Sequence, residues 1–500
     1  MTLESLATAT FIGALVVLVS VVGVRLAGRL GVPGLLLYLL LGLGLGSLFP
    51  GMHMSNAELA TVLGYSALIL ILAQGGLTTR VDELRPVMWP AITLASVGVA
   101  VSIAIVAFPL VWWFDVSTQT AIIIGAVLAA TDAAAVFSVM RKMRLSSRVR
   151  TLLEAEAGFN DAPVVVLVLV VSSGSFGEMP WWQIPLIVVA ELIGGAVIGA
   201  IVGFAGRWLL PRLALPAVGL YPIAALALLV GAYGLASVVH TSGFLAVYVA
   251  AVFIGSAARL PHRRSIIGFA DGLAWIAEIG LFFMLGALAD ISSLPSAIPL
   301  ALVVSGLILV IARPLAAVVS LVPFREHRST VLFTSIAGLR GAVPIVFAAI
   351  PLGLGVPGAQ LMFDVTLIAT LVLMIVQVPL IRVAGMRLGI VKKDEVVELE
   401  LESAPLDGMN AQVLGIEVPP ESRLVGTFIS EVGLPDGAVV SLVVRGEEPI
   451  VPDINTRIRA GDRLLIVTTE EARGAAEARV RAIAHDGRLA GWARRPPARP

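Results

Sequence analysis

The sequence predicts an all-α polytopic membrane protein of about thirteen transmembrane helices with inverted repeats and interrupted helices, followed by a small α+β cytosolic domain. Three observations carry that prediction. The first is composition. Of 500 residues, 58% are hydrophobic and only 14% charged, and the 49 glycines bring the apolar share to about 68%, against roughly 45–50% in a soluble domain. The second is segmentation: stretches of about 20 apolar residues, the length that crosses a bilayer as a helix, follow one another from Ala7 to about Arg387. The third is the placement of basic residues, which gather in alternate connections. The 34 basic and 34 acidic side chains cancel, so no global field recruits nucleic acid. The absence of cysteine excludes disulfides, thiolate metal sites and Cys nucleophiles.

The expected spans fall near 7–29, 33–50, 57–77, 86–112, 119–140, 151–173, 182–209, 217–239, 243–258, 266–289, 295–322, 330–351 and 358–386. Glu4 precedes the first, which has neither a basic n-region nor a small-residue cleavage site and reads as a retained helix. An odd count puts the termini on opposite sides. Arg25 and Arg29, then Arg80 and Arg85, then Arg141, Lys142, Arg144, Arg148 and Arg150 flank the first, third and fifth connections. Arg207 and Arg212, Arg259 with Arg263 and Arg264, Arg325 and Arg328, and Arg387, Lys392 and Lys393 continue the series. The connections between them, around His53, Asp115, Gly174–Trp182, His240–Gly243, Asp290–Pro295 and Gly353–Gly358, hold no Lys or Arg. Basic loops stay cytoplasmic, so the expectation is a multi-pass membrane protein, N-terminus outside and C-terminus cytoplasmic.

After the transmembrane region, 1–390, the composition shifts to an acidic linker, 391–410, that carries Asp394, Glu395, Glu398, Glu400 and Glu402. A small domain is expected over 411–470, with strands at Gln412–Val418, Ala438–Arg445 and Arg463–Thr468 separated by Pro419-Pro420, Pro435-Asp436-Gly437 and Ala460-Gly461-Asp462. Its small core favours pairing with a second copy. Residues 471–500 read as a helical segment and a disordered basic, Pro-rich tail.

Ionisable residues inside a span are costly and mark function or a paired partner. The fifth span contains Thr131-Asp132, and the sixth contains Glu154, Glu156, Asn160 and Asp161. Helical spacing sets Glu156 and Asn160 on one face and Glu154 and Asp161 two turns apart on another, with Asp161 too deep to reach water. The twelfth span holds Gly338-Leu339-Arg340-Gly341-Ala342-Val343-Pro344, a buried cation in need of a carboxylate within a helix that its glycines and proline interrupt. The fifth span has no Gly or Pro at Thr131–Asp132 and gives no such sign of its own. The two spans lie seven helices apart and so enter from opposite sides, as inverted repeats require. Gly42-Leu43-Gly44-Leu45-Gly46 copies part of a dinucleotide loop but lies inside a span, where close helix packing explains it. Glu191, Glu278 and Arg313 also lie within spans and read first as packed or paired polar groups.

These residues resemble the monovalent cation/proton antiporters, specifically the single-aspartate branch that includes potassium/proton antiporters. The likeness spans roughly 7–390, on Thr131-Asp132, on Glu156-Ala157-Gly158-Phe159-Asn160-Asp161 and on Gly338 to Pro344. It implies that Asp161 binds cation and proton alternately, that Asn160 and Thr131 complete the site, that Asp132 compensates helix ends where the interrupted helices cross, and that Glu156 pairs with Arg340. Ala133, Ala157 and Gln74 depart from the residues common at those positions; Glu154, Glu278 and Gln74 stand as secondary candidates. Residues 411–470 resemble an RCK C-terminal regulatory domain through Ser422 to Gly426, Arg445-Gly446, Val451-Pro452 and Ala460 to Leu465. The likeness further implies a homodimer in the bacterial inner (plasma) membrane and a nucleotide as a candidate regulator of the C-terminal domain, with no other cofactor.

Competition of a proton and an alkali cation, potassium favoured over sodium, for the one carboxylate of Asp161 is the essence of antiport. Hard cations take oxygen ligands, and a bare buried charge resists crossing the barrier, so only loaded states switch. The chain therefore reads as a transporter and not an enzyme. No Gly-Lys dipeptide is present and hence no P-loop. The alternatives are an RCK-regulated cation channel, against which stands the lack of a TVGYG-like filter, and a non-transporting membrane sensor.

Overall fold

The computed structural model describes residues 34–48, 56–132, 135–136, 143, 145–173, 176–177, 180, 182–257, 260–390, 401–405, 411–419, 422–446, 448–469 and 471–487, with scattered positions between 11 and 23. The chain divides into two compact units, Met1–Val391 and Lys392–Pro500.

The first unit is built of helices, among them α1 (Gly34–Leu48), α2 (Ala57–Thr78), α3 (Met88–Phe114), α4 (Thr118–Ala129), α5 (Ser147–Ser172), α6 (Gln183–Arg212) and α7 (Leu220–Val238). They are followed by α8 (Gly243–Gly255), α9 (Arg263–Leu288), α10 (Leu294–Phe324), α11 (Arg328–Ala337), α12 (Ala342–Gly353) and α13 (Ala359–Arg387). Eight of the described helices are long and apolar enough to cross a membrane; α11 and α12 together make one bent span, with an angle of 49°, while α1, α4 and α8 are shorter. Each falls on an expected segment. The first expected span lies mostly outside the described residues, as does the far end of the fifth, 137–140.

Burial separates centre from rim. In α5, 72% of the spanning window is buried, and in α13 67%, against 17% in α6; α5 and α13 form the interior and α6 lies at the rim. Small residues let backbones approach. A Cβ on Gly42 or Gly46 would strike the backbone of Phe283 or Ala287 on α9, so the glycine run of the second span does serve helix packing.

In the second unit a five-stranded antiparallel sheet runs in the order β1-β2-β5-β3-β4, with β1 Leu401–Pro405, β2 Ala411–Glu417, β3 Ala438–Arg445, β4 Glu448–Ile450 and β5 Asp462–Thr469. Leu414, Ile416, Val443, Leu464 and Ile466 share a core with Ala476, Val480 and Ile483 of α14 (Arg473–Asp486). The three expected strands are β2, β3 and β5. The edge strands β1 and β4 were not expected, since neither alternates and their ladders come from β2 and β3. Two expected boundaries therefore move: β1 lies in the supposed linker, and the core extends past 470 to take in α14. The acidic stretch 394–400 and the tail from 488 lie outside the described residues.

Candidate functional site

Two helices break where they meet. Helix α4 ends at Ala129, and Ala130 is extended with φ −59° and ψ 140°. Helix α11 ends at Ala337, and α12 restarts at Ala342 after Gly341, at φ −127° and ψ −130°. The unwound stretches are joined through the backbone, Asp132 N–H donating to the Leu339 carbonyl at 2.9 Å. No Gly or Pro breaks the fifth span; the break stands because partners across the crossing satisfy the freed backbone groups, as the bilayer demands.

Fixed charges complete this crossing. The Asp132 carboxylate accepts from Ala342 N–H at 2.8 Å and from Ala135 N–H at 3.2 Å, so it caps the positive starts of helical segments. Arg340 does the converse, Nε donating to the Leu128 carbonyl at 3.0 Å and a guanidinium nitrogen to the Gly338 carbonyl at 2.5 Å, at the negative ends of α4 and α11. Both side chains are buried. A Cβ on Gly341 would collide with the Asp132 carboxylate, and one on Gly338 with the Arg313 guanidinium.

The expected pairing of Glu156 with Arg340 is not what the structure holds. Glu156 is bound by Arg313 through both oxygens, one of them at 2.8 Å, and Arg313 Nε donates to the Thr334 carbonyl at 3.2 Å. Two physical reasons account for the exchange. The carbonyls left open by the helix breaks occupy Arg340, and a π turn at Ile308–Ala312 immediately precedes Arg313, which is 3% exposed and does not snorkel.

Beside the crossing, α5 presents Asn160 and Asp161, both buried. Asn160 Nδ2 donates to the Thr131 hydroxyl at 2.7 Å, tying α5 to the unwound segment after α4. The Asn160 amide oxygen and Oδ1 of Asp161 are buried without a hydrogen-bond partner among the described residues. Pro163 lies inside α5 and has no N–H to offer the Phe159 carbonyl one turn back. The site thus gathers oxygens of the kind that alkali cations prefer, and one of them belongs to a carboxyl group that also takes a proton.

Of the secondary candidates, Glu154 accepts from Arg150 Nε at 2.7 Å near the start of α5. Gln74 donates to Asp271 at 2.6 Å, and Glu278 lies on α9 near Tyr38. Sequence reading passed over Asp271 and Asp364, although the rule that found Asp161, an ionisable residue within a span, marks both. Asp364 is buried on α13 and accepts from Gln360 at 3.0 Å.

The family described as sodium/hydrogen exchanger, transmembrane, matches residues 15–386, and the TrkA-C domain matches 413–481. The K(+)/H(+) antiporter NhaP2 of Shewanella sp. (strain MR-4) is 33% identical over 488 residues, covering 94% of this chain and 82% of its own. The K(+)/H(+) antiporter NhaP of Alkalimonas amylolytica is 32% identical over 468 residues, covering 90% and 79%. Among solved structures, the sodium proton antiporter MjNhaP1 from Methanocaldococcus jannaschii at pH 8 superposes with a TM-score of 0.66 at 22% identity, over 77% of this chain and 99% of that one; this likeness is one of fold.

Proposed function

The chain belongs to the sodium/hydrogen exchanger family, and from that premise we propose that it exchanges potassium for protons at Asp161 across a bacterial inner membrane, under control of its C-terminal TrkA-C domain. The observation that carries this is the pair of buried oxygens on Asn160 and Asp161 that accept no hydrogen bond among the described residues, beside the described charges Asp132, Glu156, Arg313 and Arg340, which have fixed partners. An uncompensated carboxylate in such a place is expensive. A proton or a cation neutralises Asp161 equally well, and both cannot do so at once. The loaded forms cross the barrier and the bare anion resists it, which couples the two flows near one proton per cation.

Relatives named as K(+)/H(+) antiporters along most of the chain support potassium over sodium. The alternating arginines support a C-terminus in the cytoplasm, and family likeness supports a homodimer with a nucleotide as the regulator.

Proton movement in proteoliposomes under an imposed pH gradient, with potassium or sodium added in turn, tests the proposal. The native chain is expected to move protons on addition of potassium, and Asp161→Asn to fall to the level of empty vesicles, on the order of 100-fold. Flux that survives the substitution places the exchange site elsewhere. Cation movement without protons replaces the antiporter by a channel, and no cation movement at all leaves a sensor.

A further inference from the structure

A ring stands on α5 between its inner end and the Asp161 pocket. Glu154, Gly158 and Asp161 lie within about 60° of one another around the helix, and Glu154 and Asp161 are about 10 Å apart along it. Gly158, between them, carries no side chain, and the space belongs to Tyr248 of α8. A Cβ on Gly158 would come within 2.5–3.1 Å of Cε2, Cζ and Cδ2 of that ring. Phe159 holds the same ring edge to face, with centroids 5.5 Å apart and planes at 78°.

The backbone under the ring is fixed. The missing Cβ of Gly76 on α2 admits the Tyr248 carbonyl, and Ser256, just past the end of α8, accepts from Val81 N–H at 2.9 Å. The side chain is less well held. Its hydroxyl is buried without a hydrogen-bond partner among the described residues, while Thr79 and Glu154 lie within electrostatic reach of it. A buried hydroxyl without a partner is a cost of the seated position, and a swing toward Glu154 and Thr79 relieves it.

We infer that Tyr248 is the inner gate of the Asp161 pocket, its ring on Gly158 closing the face of α5 that a cation or proton follows between Glu154 and Asp161. This rests on Asp161 being the exchange site. The ring is a positioning group: seated, it separates the pocket from the side on which α5 begins, and withdrawn, it connects them. A small side chain at 158 is what allows the closure.

The absence of cysteine makes access measurable apart from transport. In the full-length Asp161→Cys chain in vesicles, a charged, membrane-impermeant thiol reagent is applied from the side on which α5 begins, and then from the other. With Tyr248 present, modification from the α5-start side is expected to be slow. Tyr248→Ala is expected to accelerate it at least tenfold from that side alone, and Tyr248→Phe, which keeps the ring, to leave it slow. Tyr248→Leu serves if the alanine variant fails to give a monodisperse protein. Equal rates with and without the ring, an equal rise from both sides, fast modification with Tyr248 in place, or acceleration by Tyr248→Phe each overturn the inference. None of these readouts depends on flux, so a failed gate is distinguishable from a failed antiporter.

Discussion

The crossing of α4 with α11 and α12, and the Asn160–Asp161 pocket beside it, are both buried and polar, and they treat their charges in opposite ways. At the crossing each charge has fixed partners: Asp132 takes backbone N–H groups, Arg340 takes carbonyls and Glu156 takes both arms of Arg313. Beside it an amide oxygen and a carboxylate oxygen have none among the described residues. The difference separates two tasks. Charges with fixed partners hold two broken helices in register in a medium that tolerates no loose backbone, whereas the open oxygens are the ones that the proposed exchange assigns to ions that come and go.

The largest expected effect tests the satisfied side. Arg313→Met strands the Glu156 anion and is expected to cost about 3–5 kcal/mol, whereas Arg313→Met with Glu156→Gln returns near native stability, because replacing a buried pair together is close to neutral. Thermal unfolding in detergent, read by intrinsic fluorescence, measures the cycle. The pairing observed here is lost if Glu156→Gln rescues Arg340→Met and leaves Arg313→Met unrescued.

That cycle also marks where the sequence was legible and where it was not. Apolar length and loop charge outline the helices, because the bilayer enforces both locally. Asp161, Asn160, Thr131 and Asp132 stand out by being polar where polarity is costly. The pairing of Glu156 is a tertiary fact: Arg313 and Arg340 are each buried cations, and only the two carbonyls at the helix breaks decide which one remains for a carboxylate. The break after Ala129 is equally silent, since the partners that stabilise it, Leu339 and Arg340, lie some two hundred residues away in the chain. In the C-terminal unit, β1 and β4 escape notice because edge strands carry little alternation of their own.

An intermediate effect tests the open side. Thr131→Val removes the acceptor of the Asn160 amide and keeps the side-chain volume. One hydrogen bond of this kind is worth about 1 kcal/mol, so the apparent potassium affinity in the proteoliposome assay is expected to weaken roughly fivefold, with proton coupling intact. Loss of coupling at unchanged affinity contradicts a positioning role for Thr131 and brings its hydroxyl into the proton path.

The smallest effect carries the comparison into water. In the C-terminal unit the buried Asp462 carboxylate accepts from Arg445 at 2.8 and 2.9 Å and from Arg459 N–H at 2.7 Å. Burial by itself raises its pKa, yet these bonds to Arg445 and Arg459 win and hold it below the ordinary aspartate value. The unfolded chain therefore takes up the proton first as pH falls, and the stability from this group is present above about pH 4 and lost on descent through the lower folded value. Pepsin cleavage of the C-terminal unit in the full chain is expected to quicken as pH falls below about 4, and to do so less steeply in Asp462→Asn. Identical profiles remove Asp462 as the cause. A steeper native profile identifies a carboxylate fixed by its partners, the opposite of Asp161, whose buried oxygen the proposed exchange leaves open for a cation and a proton to contest.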